Sequence, residues 1–159
     1  MTPMTLEQVI RRYADMVYRL ALARLSSPAD AEDVFQDVFL RYAENAPDFR
    51  DEEHRKAWLL RVTVNCCRSR FRSGWLRRML PLEDAVHATA PAPPESPLSE
   101  ALARLPAKYR TVIHLHYYEN LSTQEVAAST GQSASTVRSQ LTRASSMLRE
   151  MLQGGYDDV

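Results

Sequence analysis

The sequence predicts an all-α protein made of two small helical domains joined by a proline-rich linker. Apolar residues make up 45% of the 159 residues, so a buried core can form. Only four glycines occur, and alanine, leucine, arginine and glutamate are common, which favours helices. Apolar residues also recur at three- and four-residue spacing on both sides of one segment that is crowded with prolines.

The first domain, residues 1–78, is predicted to contain three helices. Thr5 and Gln8 have the spacing of a capping box, so the first helix begins there. Ser27 precedes Pro28, which is the order of a cap followed by a proline in the first helical turn, and a second helix begins at this pair.

The third helix of this domain is predicted from about residue 53 to residue 72, after a loop over residues 45–51. The positions expected to pack in the first helix are Leu6, Val9, Ile10, Tyr13, Met16, Val17 and Leu20. In the second helix they are Ala31, Val34, Phe35, Val38, Phe39 and Tyr42. In the third they include Trp58, Leu59, Val62 and Cys66.

A linker over residues 79–97 separates the two domains. It interrupts the helical pattern with small residues and with Pro91, Pro93, Pro94 and Pro97, so an extended segment is predicted. The second domain follows over residues 98–153, and residues 154–159 form a tail.

About four helices are predicted in the second domain. Ser96 with Pro97 opens the first helix, which ends near residue 105, and Pro106 begins the next. Ser122 and Glu125 form another capping box, so a third helix begins there.

The last two helices have the spacing of a helix-turn-helix unit. Gly131 supplies the left-handed conformation of a sharp turn, Ala127 allows close approach, and Val137 packs into the angle. The last helix, residues 135–152, carries short hydroxyls and arginines that suit phosphates and base edges in a major groove. They are Ser135, Thr136, Arg138, Ser139, Thr142 and Arg143. A plain helical hairpin with a solvated polar face is the alternative.

Charge is unevenly distributed, although the formal net charge is zero. Residues 1–50 carry six basic and eight acidic side chains, whereas residues 54–80 carry eight basic and no acidic ones. Binding depends on the local field and not on the sum, so a neutral total does not exclude nucleic acid. An acidic first part also points to a second partner that is not DNA.

The third helix carries a basic stripe at 4, 3 and 4 residue spacing, formed by Arg61, Asn65, Arg68 and Arg72. Trp58 and His54 lie close to the same side, one turn earlier. Basic, amide and aromatic side chains together suit the backbone and unstacked bases of opened DNA. The alternative is a solvated arginine face beside a core tryptophan, but solvated faces usually mix both signs of charge.

The second helix has an acidic side opposite its apolar one, formed by Glu32, Asp33, Gln36 and Asp37. Interaction with the helix dipole explains acidic residues in the first turn, but it does not explain Asp37. The alternatives are therefore a protein-docking surface and an ordinary solvated face.

The sequence contains no recognisable catalytic set, phosphate loop, metal cluster or cofactor site. Cys66 and Cys67 are adjacent, so an ordinary disulfide between them is not expected, and both are read as reduced thiols with at least one packed. No apolar stretch is long enough for a transmembrane helix, and no secretory signal is visible. We therefore expect no membrane insertion and a cytoplasmic location.

Five segments together resemble RNA polymerase sigma factors of the sigma-70 family, extracytoplasmic-function (ECF) class. The segments are residues 30–41 (DAEDVFQDVFLR), 58–65 (WLLRVTVN), 105–110 (LPAKYR), 122–128 (STQEVAA) and 136–144 (TVRSQLTRA). They cover most of the chain in the family's order. The resemblance implies that the first domain is similar to sigma region 2 and the second to sigma region 4.

The resemblance also implies partners and site residues. The acidic helix would dock on the clamp helices of core RNA polymerase through Glu32, Asp33, Gln36 and Asp37. The −10 element of promoter DNA would be recognised and melted by Phe49, Arg50, Trp58, Arg61, Asn65, Arg68 and Arg72. The −35 element would be read by Ser133, Ser135, Thr136, Arg138, Ser139 and Arg143. An anti-sigma factor is a further expected partner.

The chain departs from the family's pattern in residues 49–56, which are unusually charged (FRDEEHRK), and at the two cysteines. Two other functional classes remain as alternatives. A helix-turn-helix regulator with an N-terminal dimerisation or sensing domain would bind palindromic DNA without polymerase. A helical adaptor or α-helical enzyme would be insensitive to charge reversal at Arg138 or Arg143.

Overall fold

A computed structural model of the protein describes residues 4–78 and 96–157, except for the side chains of residues 71–78 and 154–157. The chain divides into two compact units, Met1–Pro91 and Ala92–Val159. Within the described residues all regular structure is helical, as predicted. Most of the predicted linker, residues 79–95, lies outside the described residues.

The first unit contains three helices, α1 (Leu6–Leu25), α2 (Pro28–Asn45) and α3 (Glu52–Arg78). The predicted starts of α1 and α2 are both confirmed. Thr5 and Gln8 form a complete capping box for α1, and the Ser27 side chain accepts a hydrogen bond from the Asp30 N–H at the start of α2. Each helix packs against the other two.

The core of the first unit is built from all three helices. Its fully buried large side chains are Val9, Val17, Leu20, Val34, Val38, Leu59, Leu60 and Val64. The predicted packed positions agree in most places, but Leu6 remains 41% exposed, and Ile10, Phe35, Tyr42, Trp58 and Val62 are half-buried. The rings of Tyr42 and Trp58 contact Phe49 in the loop between α2 and α3, so these two half-buried side chains also line a surface.

Two predicted helix ends fall short of the observed ones. The third helix continues to Arg78, and the last helix, α7 (Ala134–Asp157), continues beyond residue 152. An isolated glycine costs a helix only about 1 kcal/mol. The glycines at positions 74, 154 and 155 therefore do not end helices that their neighbours sustain.

The second unit contains α4 (Pro97–Arg104), α5 (Ala107–Ile113), a π-helical turn (His114–Tyr118), α6 (Thr123–Thr130) and α7. The long helix α7 packs against α4, α5 and α6, around a core that includes Leu105, Val112, Leu115, Val126 and Val137. The sequence predicts an uninterrupted helix through residue 115, so the π-helical turn was missed. Such turns are one-turn insertions that no simple periodicity signals.

Candidate nucleic-acid and protein interfaces

The acidic side of α2 is a solvent-facing surface. Its four predicted members, Glu32, Asp33, Gln36 and Asp37, are all exposed, while Val34 and Val38 on the other side are buried. Leu40 follows on the same side by helical spacing and is 57% exposed. Leu40 was not assigned to either side of this helix from the sequence, because only its polar members were used to define the acidic side.

An ion-pair cluster joins α2 to α3 through Arg70. Its guanidinium donates to Asp30 Oδ1 at 3.0 Å and to Asp33 Oδ2 at 2.8 Å. Asp33, predicted as a docking residue, is therefore also an intramolecular partner. Arg70 lies on the side of α3 opposite Arg68 and Arg61 by helical spacing, so it is a helix-packing residue and not a member of the basic stripe.

The basic stripe on α3 faces solvent. Arg61, Asn65 and Arg68 are exposed at consecutive turns, as their spacing predicts. Arg72 continues the register on the helical backbone, but its side chain lies outside the described residues. Between them Thr63, Val64, Cys66 and Cys67 are buried, so the stripe is one exposed face of a helix whose other face is core.

Four rings from α2, the following loop and α3 form an aromatic cluster, defined here as Tyr42, Phe49, His54 and Trp58. Phe49 lies at its centre. Its ring centroid is 6.0 Å from that of Tyr42, 5.9 Å from that of Trp58 and 5.2 Å from that of His54. All four rings are half-buried, so the cluster packs and still presents ring surface to a flat ligand.

The loop before α3 is held by short polar contacts. Asp51 Oδ1 accepts from the His54 N–H at 2.7 Å, which caps the start of the helix. The Arg50 N–H donates to His54 Nδ1 at 3.1 Å, while the Arg50 side chain is exposed. The loop thus places a cation beside the aromatic cluster. By helical spacing the basic stripe begins one turn farther along α3 from Trp58.

The helix-turn-helix geometry is present in the second unit. Ser122 and Glu125 form a complete capping box for α6, and Gly131 ends that helix at φ 70°, in the left-handed region that glycine favours. The Gln132 N–H donates to the Ala127 carbonyl at 3.0 Å, closing the turn. Val137 is fully buried in the angle between the helices.

The predicted DNA-facing residues of α7 are all exposed, on the side away from its core contacts. They are Ser133, Ser135, Thr136, Arg138, Ser139 and Arg143. Two of them have a structural role that the sequence analysis did not assign. Ser133 Oγ accepts from the Thr136 N–H at 3.1 Å and lies 2.8 Å from Thr136 Oγ1, so this hydroxyl pair caps α7. Arg138 and Arg143 are the charged, outward-facing residues of this predicted DNA-facing set.

The two cysteines are free and buried. Burial raises the pKa of the Cys66 thiol and raises the pKa of Cys67 to about 12. Both groups are therefore protonated, packed side chains at neutral pH. No group of His, Cys, Asp or Glu among the described residues could hold a metal ion.

An apolar groove of about 610 Å³ lies in the second unit, between α4, the π-helical turn and the distal part of α7. Leu98, Ile113, Tyr117, Leu148 and Leu152 are among the residues that line it. Leu98 is 44% exposed and Tyr117 is 59% exposed. This groove was not predicted from the sequence, since the three elements come together only in the folded unit.

Across the described residues, no helix is long and apolar enough to span a membrane.

Comparison with known families matches both units. The family Sigma-70 region 2 matches residues 9–88, and the family Sigma-70, region 4 matches residues 96–148. Both families appear in the order that the sequence resemblance implies.

Curated relatives align along most of the chain. The RNA polymerase sigma-E factor of Streptomyces coelicolor is 33% identical over 150 residues, which cover 92% of this chain and 85% of the relative. The ECF RNA polymerase sigma factor SigL of Mycobacterium tuberculosis is 32% identical over 151 residues, with 89% and 85% covered. The ECF RNA polymerase sigma factor SigE of Mycolicibacterium smegmatis is 32% identical over 157 residues, and the chain spans 61% of its length.

Two solved structures have the same fold. CnrH, in complex with the cytosolic domain of CnrY, is 26% identical, with a TM-score of 0.69 and coverage of 94% of this chain and 88% of that one. The sigma factor RpoE of Bartonella quintana, in complex with the anti-sigma factor NepR, is 22% identical, with a TM-score of 0.69 and coverage of 92% and 96%.

Proposed function

Since the chain belongs to the ECF class of the sigma-70 family, we propose that it binds core RNA polymerase and directs transcription initiation at specific promoters. One observation carries the proposal. The three-helix unit has an acidic surface on α2 and an aromatic, basic surface on α3, and a helix-turn-helix unit follows in the same chain. A specificity subunit needs one surface for polymerase and two for DNA, and these features supply all three.

The acidic surface of α2 is proposed to dock on the clamp helices of the polymerase largest subunit. Glu32, Gln36 and Asp37 are exposed and favour a basic partner surface, since complementary charges steer encounter and fix register. Asp33 also contacts Arg70 at 2.8 Å, so its carboxylate would be shared between that contact and the partner.

The aromatic cluster and the basic stripe are proposed to recognise and open the −10 element. Phe49 and Trp58 would stack unpaired bases, while Arg50 and the stripe Arg61, Asn65, Arg68 and Arg72 would follow the backbone of the opened strand. Stacking on aromatic rings is worth about 1–3 kcal/mol per base, which makes it comparable to the cost of unpairing a base. Strand opening would therefore be driven by binding energy.

The exposed side of α7 is proposed to read the −35 element. Arg138 and Arg143 have the reach for base edges or phosphates in a major groove, and Ser135 and Ser139 supply short hydroxyls between them. Ser133 and Thr136, whose hydroxyls cap the helix, would present the helix N-terminus to a phosphate.

Domain roles follow from these assignments. Residues 1–78 would bind polymerase and the −10 element, residues 98–153 would bind the −35 element, and residues 79–97 would link them, with 154–159 as a tail. Linking two weak DNA contacts raises the effective concentration of the second once the first has formed.

Binding and strand opening require no covalent chemistry, so we propose that the protein is not an enzyme. Its place of work would be the cytoplasm, with polymerase and the genome.

Transcription with purified components tests the proposal. Core polymerase with and without the protein is given a library of genomic fragments, and the 5′ ends of the transcripts are sequenced. The protein should form a complex with core and concentrate the ends at a small set of sites that share two upstream elements. Unchanged, scattered ends and no complex with core would overturn the proposal. Tight binding to a palindrome without polymerase would instead favour a helix-turn-helix regulator.

A protein inhibitor is proposed as a further partner. RpoE of Bartonella quintana is in complex with the anti-sigma factor NepR, and CnrH is in complex with the cytosolic domain of CnrY. An anti-sigma factor of this kind would hold the chain inactive by covering surfaces that polymerase or DNA needs. Affinity capture with the full-length protein, followed by inhibition of the transcription reaction, identifies it.

A further inference from the structure

Arg55, in the first turn of α3, is a buried charge beside the aromatic cluster. It is only 4% exposed, although arginine is almost never fully buried unless it is paired. Burying a guanidinium removes its hydration, and a pair of buried charges often stabilises a fold no more than apolar side chains of the same size. Stability alone is therefore a weak reason for an arginine at this position.

Arg55 contacts Met4, which precedes α1, and is linked to α1 itself through Glu52. Its guanidinium forms an ion pair with Glu52 and donates to Met4 Sδ at 3.0 Å. Glu52 Oε2 accepts from the Tyr13 hydroxyl at 2.6 Å. Tyr13 belongs to α1 and is buried, so Glu52 anchors Arg55 to the core of the unit.

The other contact of Arg55 is with the ring at the centre of the aromatic cluster. The guanidinium carbon lies 5.3 Å from the ring centroid of Phe49, within the range of a cation–π interaction. Phe49 belongs to the loop between α2 and α3. Arg55 therefore connects Glu52 and Tyr13 to Phe49, the loop residue whose ring contacts the rings of Tyr42, His54 and Trp58.

We propose that Arg55 is a positioning residue that fixes the Phe49 ring, and with it the loop, before a DNA strand arrives. The inference rests on the proposed role of the aromatic cluster in opening the −10 element. A ring that is already ordered spares the binding step the entropy of ordering it. Arg55 acts through Phe49 and touches no DNA in this proposal, so its effect differs from that of the exposed Arg50.

A measurement without DNA tests the positioning itself. A Trp75→Phe background leaves Trp58 as the only tryptophan, and acrylamide quenching then reports how well Phe49 covers it. The test variant combines Arg55→Met with Glu52→Gln, which removes both charges and keeps an acceptor for Tyr13. The matched control combines Arg11→Met with Glu7→Gln, an exposed pair in α1 with a 2.7 Å contact.

We expect the quenching constant of Trp58 to rise by about twofold or more in the test variant, because a cation–π contact of this kind holds the ring in place by a factor of about five in population. The control should match the parent protein. Equal quenching in all three proteins would overturn the proposal. If the double variant does not fold, Glu52→Gln alone replaces it, with a smaller rise expected and no rise overturning the proposal.

A second measurement tests the consequence for DNA. Holoenzyme is assembled on the fragment that gives the most transcript in the genomic library assay, and permanganate reactivity of the −10 thymines reports strand opening. The test variant should open about five- to tenfold less DNA, with unchanged binding to core, and Arg55→Lys should recover part of the loss.

The two measurements separate the possible failures. Normal opening by the test variant would overturn the positioning role while leaving the proposed function intact. Failure of the unmodified protein to select any promoter would overturn the proposed function and, with it, the role of Arg55 in DNA opening. The quenching result would still decide whether Arg55 orders Phe49.

Discussion

At the scale of single residues, burial decides what a polar or ionisable side chain can do in this protein. Arg68 and Arg55 are only thirteen positions apart in α3, yet the first is exposed and the second is 4% exposed. The exposed arginine is available to a phosphate, whereas the buried one contacts Glu52, Phe49 and Met4 inside the protein. Residue type and spacing predict the first role and cannot predict the second.

The same distinction applies to the cysteines. A thiol reacts through its thiolate, and burial raises the pKa of Cys67 to about 12 from an ordinary value of 9.0. Cys66, its neighbour, is also buried and has a raised pKa. We interpret the pair as packing residues of the α3 core, not as a redox or metal site.

A pH dependence of stability follows from Cys67. Below pH 9 the thiol is protonated in both states, so its full contribution is present. Above pH 9 the unfolded chain loses the proton while the folded protein keeps it, and the free energy of unfolding falls as the pH rises towards 12. Urea unfolding at pH 8 and pH 10 should therefore show a steeper loss for the parent protein than for Cys67→Ala. Parallel losses would contradict the prediction.

At the scale of helices, α2 and α3 each present one face to solvent and one to the core. Their facing directions follow from helical spacing, which is why the acidic side and the basic stripe could be predicted. The contact between the two helices could not be predicted from the sequence. Arg70 reaches Asp30 and Asp33 across about forty positions of sequence, and only the packing of the two helices brings these groups together.

Asp37→Arg tests the acidic surface of α2. Reversing the charge should weaken binding to core polymerase about tenfold, because a like charge then faces a basic partner surface. Asp15→Arg, an exposed reversal on α1, is the control and should leave core affinity unchanged. Binding is measured by competition for labelled core, and circular dichroism checks the fold. Equal weakening by both variants would show that net charge, and not this surface, matters.

Arg70→Ala and Arg68→Ala separate packing from DNA binding on α3. The Arg70 pairs are partly exposed, at 26% for the arginine and 53% for Asp33, so their loss should cost only about 0.5–1 kcal/mol in urea unfolding. Arg68→Ala should change stability by less than about 0.5 kcal/mol but weaken promoter binding. A reversal of this pattern would mean that the two sides of α3 are assigned the wrong way round.

At the scale of the whole molecule, the proposed function depends on two units, each of which carries one of the proposed DNA sites. The aromatic cluster and basic stripe belong to the first unit and the helix-turn-helix to the second. Because the two proposed DNA contacts gain from being linked, we expect neither unit to select a promoter alone. The chain connects them, and polymerase would hold both on the same DNA.

A thermodynamic cycle tests this division of labour. Scrambling the −35 element should weaken holoenzyme binding about a hundredfold, since the linked contact is lost. Replacing Arg138 and Arg143 by alanine should cause a similar loss on the intact promoter and almost no further loss on the scrambled one, because coupled partners are not additive. Arg104→Ala, an exposed site in α4, is the control. Independent, additive losses would contradict the assignment of α7 to the −35 element.

The sequence by itself determined the helical fold, the order of the helices, most of their starts and the identity of the exposed surfaces. These features depend on contacts within one or two helical turns, such as the Thr5 and Ser122 capping boxes, the Gly131 turn and the 4, 3, 4 spacing of the basic stripe. A local pattern encodes local contacts, and the helix-turn-helix is a succession of them.

Only the tertiary structure decided which polar groups are used inside the protein. The aromatic cluster joins Tyr42, Phe49 and Trp58 from three elements, Arg70 meets Asp33 from another helix, and Arg55 lies between Glu52 and Phe49. The two arginines belong to the same basic segment as Arg61 and Arg68. Spacing places Arg70 on the opposite side of α3, but it does not show which groups either arginine contacts. The packing of helices removes some charges from water and leaves others in it, and that selection separates the residues that hold the site from those proposed to touch DNA.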